Sequence, residues 1–274
     1  MSLTAGLVGH PVAHSRSPQI FADLSARVGR PVRYSLFDVP PEGLAEFLGR
    51  TALALDGFNV TAPHKEAIHR ACAHLTPLAR AVGAVNAVRR RPDGSLEGEN
   101  TDVAGFAAAL GGNVPRRAAV IGAGGAARAV VICLKQLGCS TIRVLARRPE
   151  RAAGLCADSG LEPALGLDDL SLATAFTGAD LVVQATSAVE LAEQVALPWE
   201  RLGPEALAID LLYRPTPTAF LGQADAAGVR AMDGLPMLAG QAVAALRFFR
   251  PDWPIEEPDR WAEEIGARLR AGVD

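Results

Sequence analysis

The stretch Ala118-Ala119-Val120-Ile121, followed at once by Gly122-Ala123-Gly124-Gly125-Ala126-Ala127, constrains the fold more than any other part of the chain. A short strand of small and β-branched residues that runs into three closely spaced glycines, and then into a helix-forming run, fits the pattern G-x-G-x-x-(G/A). Such a turn exposes backbone N–H groups at a helix N-terminus to a pyrophosphate. Gly122, Ala123, Gly124, Gly125 and Ala126 are therefore the expected dinucleotide contacts, with the helix running from Gly125 to a stop at Gly138. Glycines also serve tight turns that bind nothing, so the surrounding sequence has to decide.

A second strand-helix unit follows directly. Strands are predicted at 141–145, 181–185, 207–211 and 229–232, with helical and loop material between them. This rhythm predicts a doubly wound parallel sheet, a Rossmann domain. About twenty residues past the glycines, an NAD-selective fold presents a carboxylate to the ribose 2′-hydroxyl; here the chain has Ala146-Arg147-Arg148 instead. Two guanidiniums match a 2′-phosphate, so Arg147 and Arg148 predict NADP as the cofactor. The alternative is a solvated basic turn that merely pairs with Glu150.

Apolar runs at 3–8, 32–37, 57–60 and 84–88 alternate with helical patterns at 19–28, 41–48 and 67–73, which predicts an α/β unit at the start of the chain. Pro92-Asp93-Gly94 reads as a hairpin turn, which makes Arg89-Arg90-Arg91 a strand end rather than a phosphate grip. The last segment is helical, with apolar stripes at Leu238, Ala242, Ala245 and Phe249, then at Trp261, Ile265 and Leu269. With 274 residues the chain exceeds one ordinary domain. The expected division is an α/β substrate-binding and catalytic domain over 1–103, a dinucleotide-binding Rossmann domain over 104–235, and C-terminal helices over 236–274 returning to pack on the first domain.

Composition narrows the partners. Hydrophobic residues make up 49% and charged ones 21%, a balance that can bury a sizeable core. A net charge of -3 gives no general attraction to a polyanion or an anionic surface, so neither nucleic acid nor a membrane is an expected partner. A small-molecule substrate is expected, with the chain as a monomer or homodimer. Cys72, Cys133, Cys139 and Cys156 form no C-x-x-C pair, the five histidines lack a metal-like set of partners, and the first residues lack the pattern of a signal peptide. A cytoplasmic protein with reduced thiols and no metal is expected.

Of the 27 basic residues only Lys65 and Lys135 are lysines. Lysine can lose its proton near neutral pH where arginine cannot, so a lysine kept against that bias draws attention, although accident explains two residues equally well. Lys65 lies in Asn59-Val60-Thr61-Ala62-Pro63-His64-Lys65, where a strand ends and a helix starts, with Thr61 as a possible cap. A first-turn lysine opposes the helix dipole, which a ligand or chemistry explains better than stability does.

Three more polar segments stand at strand ends, where open α/β sheets bind ligands: His14-Ser15-Arg16-Ser17-Pro18, Gly83-Ala84-Val85-Asn86, and Gly98-Glu99-Asn100-Thr101-Asp102. Ser17 also serves as a simple N-cap before Pro18. Together with Gly122 to Ala127 and with Tyr213, Gly234, Met237, Leu238 and Gln241, these segments make the chain resemble the shikimate dehydrogenase family, which includes quinate/shikimate enzymes. The resemblance runs from about Gly6 to Ala245. It implies that Ser15 and Ser17 hold a substrate carboxylate, that Asn59, Thr61, Asn86, Asp102 and Gln241 bind ring hydroxyls, that Tyr213 also touches substrate, and that Lys65 and Asp102 form the catalytic pair. It adds Thr186, Gly234 and Met237 to the cofactor contacts, and it implies the reversible reduction of 3-dehydroshikimate to shikimate with NADPH. Gln241 fits on physical grounds as well, being an amide in an otherwise apolar helical stripe.

Several positions depart from the family pattern. Ala146 stands for a usual Asn, Arg148 for Thr or Ser, Gln184 for Asn, Ala188-Val189 for Gly-Met, and Pro236 for Gly. All lie on the cofactor side. Two rival readings therefore stay open at this point: a paralogue acting on quinate or an aminated analogue with NAD, and a catalytically silent NADP-binding regulator.

Overall fold

Strands form where the apolar runs stand, and two separate sheets result. The computed structural model describes residues 2–186 and 191–272; Ala188 and Val189 lie outside the described residues. The first unit comprises Met1–Ala109 and Leu238–Asp274. It contains β1 (Leu3–Gly9), α1 (Ser17–Val28), β2 (Val32–Asp38), α2 (Leu44–Gly49), β3 (Gly57–Val60), α3 (Lys65–Ala71), β4 (His74–Leu75), α4 (Pro77–Val82), β5 (Ala87–Arg90), β6 (Leu96–Glu99) and most of α5 (Asp102–Leu110). The second unit, Leu110–Met237, contains β7 (Arg117–Ile121), α6 (Gly125–Gln136), β8 (Thr141–Leu145), α7 (Ala153–Asp158), α8 (Asp169–Phe176), β9 (Leu181–Gln184), α9 (Leu191–Gln194), β10 (Leu207–Asp210), α10 (Ala219–Ala226) and β11 (Arg230–Met232). The first unit also takes in α11 (Leu235–Phe249) from Leu238 onward and α12 (Pro258–Ala271).

The first sheet has the order β2-β1-β3-β5-β6-β4. β2, β1 and β3 run parallel, whereas β5 is antiparallel to both β3 and β6. The β5–β6 hairpin turns at Gly94, and its arginines are structural: Arg89 pairs with Glu97 across the strands and lies 4.6 Å from the Phe248 ring, while Arg90 donates to the carbonyls of Ala52 and Leu55. Phe47, Phe58, Ile68 and Val88 pack into a buried core with Val8 and Val60.

The second sheet has the order β11-β10-β9-β7-β8 and is parallel throughout, the expected Rossmann-like sheet. Phe176, Trp199 and Phe220 meet edge to face in its core. Because the chain leaves β7 for β8 on one side and comes back to β9 on the other, the sheet switches direction between β7 and β9. Ligands of open α/β sheets bind beyond the carboxyl ends at such a point.

The expected strand at 84–88 begins later, at Ala87, because Val85 N donates to Lys65 O and ties that stretch to the start of α3. Pro236 falls in the first turn of α11, where a missing N–H costs nothing. Among the described residues no helix is long and apolar enough to cross a membrane.

Candidate active site

The topology of the first sheet gathers polar residues from distant segments at one end. Leu7 and Val8 of β1 lie beside Asn59 and Val60 of β3, so Gly9 and Thr61 leave the sheet together, with Thr61 N donating to Val8 O at 2.9 Å. β5 starts where β3 and β6 end, because it runs against both. Asn86, just before β5, therefore meets the residues that follow β6.

At that place Lys65 Nζ donates to Asp102 Oδ2 at 2.6 Å, with side chains only 17% and 7% exposed. Both residues open helices, α3 and α5. The carboxylate suits its helix N-terminus and the ammonium opposes its own, so pairing offsets the unfavourable placement of Lys65. Asp102 Oδ1 accepts from Asn86 Nδ2 at 2.7 Å, and Asn86 Oδ1 accepts from Thr101 N at 2.6 Å. Gln241 Oε1 lies 3.5 Å from Asn86 Nδ2, while Gln241 Nε2 donates to Leu238 O at 3.0 Å. Asn59, Asn86, Asp102 and Gln241 are all buried, and every one of them has a hydrogen-bond partner, as buried polar groups require.

Ser15 Oγ donates to Ser17 Oγ at 3.1 Å and accepts from Ser17 N at 3.2 Å. α1 begins at Ser17 itself, with Arg16 in the cap position and no side-chain cap bond. The Ser17 hydroxyl therefore does not cap the helix. Nor does Thr61 cap α3: its N–H continues the sheet, its carbonyl accepts from His64 N at 3.0 Å, and the helix starts four residues later. Tyr34, which the sequence reading missed, donates from its hydroxyl to Asn59 Oδ1 at 2.9 Å.

In the second unit, β7 and β8 run in register from Arg117–Thr141 to Ile121–Leu145, so the glycine turn and the Ala146-Arg147-Arg148 turn leave adjacent strands. Gly122 has φ 140, and a Cβ there would lie 2.8 Å from Ala185 O; only glycine lets β7 and β9 end so close together. α6 opens with Gly124 in the cap position, no side-chain cap and no acidic residue in the first turn. A Cβ at Gly124 would meet nothing within 4 Å. The orphan N–H groups of this helix end thus have no side-chain cap, the condition in which a helix end can receive an anion. Arg147 and Arg148 are exposed, and among the described residues no ion pair involves either of them or Glu150. Open space, free helix donors and two available guanidiniums fit the phosphates of NADP.

The remaining expected residues sit around the same sheet end. Gln184 closes β9 and accepts from Thr186 N at 3.3 Å. Tyr213 is half-buried in the loop after β10. Gly234 is pressed against that loop: its N–H donates to Leu212 O at 3.1 Å, and a Cβ would come within 2.1 Å of Leu211 O. Met237 is buried in the first turn of α11. Asp210, at the end of β10, is also buried; its Oδ2 accepts from Thr218 Oγ1 at 2.5 Å and its Oδ1 from Leu212 N at 3.0 Å. Burial pushes its carboxyl above the ordinary range.

Comparison with known proteins gives one answer along the chain. Residues 7–88 match the model of the shikimate dehydrogenase substrate binding domain, and residues 108–197 match that of shikimate / quinate 5-dehydrogenase. A protein of Methylobacterium radiotolerans named shikimate dehydrogenase (NADP(+)) is 43% identical over 250 residues, covering 87% of this chain and 88% of that one. A protein of the same name from Thermus thermophilus is 40% identical, covering 99% of this chain and 100% of its own. The crystal structure of shikimate 5-dehydrogenase from Thermus thermophilus in complex with NADP(H) and shikimate superposes with a TM-score of 0.82 at 38% identity, covering 97% of this chain and 99% of that one. With these matches over most of its length, the chain belongs to the shikimate dehydrogenase family.

Proposed function

We propose that this chain is an NADP-dependent oxidoreductase that interconverts 3-dehydroshikimate and shikimate. The observation that carries the reading is the contact of Lys65 Nζ with Asp102 Oδ2 at 2.6 Å, inside a buried set of amides suited to a polyhydroxylated ring. The relatives named above support both the substrate and the cofactor. The rivals, a quinate or aminoshikimate paralogue using NAD and a silent regulator, are not favoured.

NADP would be held by the backbone N–H groups of the Gly122 to Ala126 turn, by Arg147 and Arg148 at the 2′-phosphate, and by Thr186, Gly234 and Met237. When bound, it supplies the hydride that the ring ketone accepts. In reduction the Lys65 ammonium gives a proton to the oxygen that was the carbonyl; in oxidation neutral Lys65 takes the hydroxyl proton back. Asp102 orients Nζ through Oδ2, and Asn86 holds Asp102 through Oδ1. Ser15 and Ser17 receive the substrate carboxylate as paired hydroxyl donors, while Asn59, Thr61, Asn86 and Gln241 take the ring hydroxyls. We place the enzyme in the cytoplasm, a setting that four free thiols suit, and as a monomer or homodimer, since the exposed large apolar side chains Leu53, Val114 and Leu170 belong to separate segments.

The test is turnover of shikimate and of quinate with NADP+ and with NAD+, followed by nicotinamide absorbance. Shikimate with NADP+ is expected to give the highest kcat/KM. Preference for quinate or NAD+, or no turnover at all, would overturn the reading.

A further inference from the structure

We propose that Tyr34 is a positioning residue of the substrate site, whose hydroxyl locks the Asn59 amide so that it presents an N–H donor to a ring hydroxyl. This rests on the assignment of Asn59 to the substrate made above. Tyr34 stands on β2 and Asn59 on β3, with β1 between them. Ala5 of β1 lies beside Tyr34 and Leu7 beside Asn59; Ala5 and Leu7 are two apart, so Tyr34 and Asn59 share one face of the sheet. Two strand spacings amount to about 10 Å, a gap that only a long side chain crosses, and the small Ala5 leaves room for it. The Tyr34 ring is held flat against the fully buried Phe21, with centroids 4.1 Å apart and planes at 15°, and this stacking fixes where the hydroxyl points.

The direction of the bonds follows from Asn86. Its main-chain carbonyl can only accept, and Asn59 Nδ2 stands 3.2 Å from it. A flipped amide would set oxygen against oxygen. Nδ2 therefore faces Asn86, Oδ1 faces Tyr34, and the tyrosine hydroxyl donates at 2.9 Å. Asn59 is 3% exposed and spends one N–H on the backbone and its oxygen on Tyr34. The second N–H has no partner among the described residues and is the donor left for substrate. Without the Tyr34 bond, Oδ1 would be a buried acceptor without a partner, and the amide would be free to turn away from a productive pose.

A double-mutant cycle in the full-length enzyme tests this. Tyr34→Phe keeps the ring on Phe21 and removes only the hydroxyl. It is expected to raise KM for shikimate about three- to tenfold, the scale of one hydrogen bond, with kcat and KM for NADP+ changed less than about twofold. In an Asn59→Ala background, which raises KM itself, the same change should add nothing. Calorimetric titration of shikimate into the same four proteins, well below their thermal midpoints, should repeat the pattern in Kd. An equal rise on both backgrounds would show that Tyr34 acts elsewhere, and an unchanged KM in Tyr34→Phe alone would remove its role; either overturns the proposal while leaving the function intact. A wild-type protein that does not turn over shikimate overturns the functional reading and this assignment with it.

Discussion

At the end of the first sheet polar side chains hold one another, whereas at the glycine turn of the second the backbone is left open and the two nearby arginines are exposed. Asp102 has an ammonium at 2.6 Å and an amide at 2.7 Å, and each amide around it has a hydrogen-bond partner in the same unit. Gly124 faces empty space, α6 has no side-chain cap at its N-terminus, and among the described residues Arg147 and Arg148 make no ion pair. The difference matches what each ligand brings. A small ring offers a few hydroxyls and demands donors and acceptors already fixed in direction, while a dinucleotide brings several phosphate charges that a helix end and exposed guanidiniums can receive. A second contrast lies between the buried carboxyls: Asp102 is paired with a cation, whereas Asp210 has a hydroxyl and one N–H.

Changes in the preformed network should cut turnover most deeply. Lys65→Ala is expected to lower kcat by roughly 10²–10⁴-fold with a modest change in KM, the span of a lost general acid or base. Lys65→Arg is the sharper test, since it keeps the charge but holds its proton; it should stay nearly as inactive, and recovery of most of kcat would make Lys65 a positioning charge. At the open end the effect should fall on cofactor choice. Arg147→Ala with Arg148→Ala should weaken NADP+ by at least about tenfold and spare NAD+, and equal loss for both would end the 2′-phosphate assignment.

Ser15→Ala should raise KM for shikimate by roughly three- to thirtyfold at a nearly constant thermal midpoint; a drop in midpoint without a KM change would make the serine pair structural. The smallest effect concerns Asp210. Its carboxyl titrates higher in the folded chain than in the unfolded one, because burial disfavours its charge. The folded state thus holds the proton more tightly, and stability falls as pH rises from the unfolded value through the folded one. Asp210→Asn should raise the thermal midpoint by a few degrees near neutral pH and by less near pH ~4, measured by calorimetry across that range. An equal difference at both pH values would assign the effect to packing.

Local signals carried much of the fold. The glycine turn after β7, the strands at 57–60 and 141–145, and the helix beginning at Gly125 stand where the sequence places them, since turn residues and apolar periodicity act over a few positions. The two-residue β4 and the later start of β5 were not legible, because they depend on contacts with other segments, such as Val85 N on Lys65 O. The helix α4 does carry local marks, with Thr76 capping it through Ala79 N, Pro77 in its first turn and a left-handed Gly83 after its end, but six residues are too few for a helical period to show.

By itself the sequence determined the residue types of both sheet ends, the arginine pair after β8, and the family. Only the tertiary structure decided which of those residues touch. Lys65 and Asp102 are 37 residues apart in the chain, Tyr34 and Asn59 are 25 apart, and Asn86 and Gln241 are 155 apart. Propensity and pattern are properties of neighbours along the chain, but a hydrogen bond needs a direction and a distance, and both are set by strand order and register. An antiparallel β5 between β3 and β6 is what turns scattered polar residues into one network, and long-range pairing of this kind leaves no local mark.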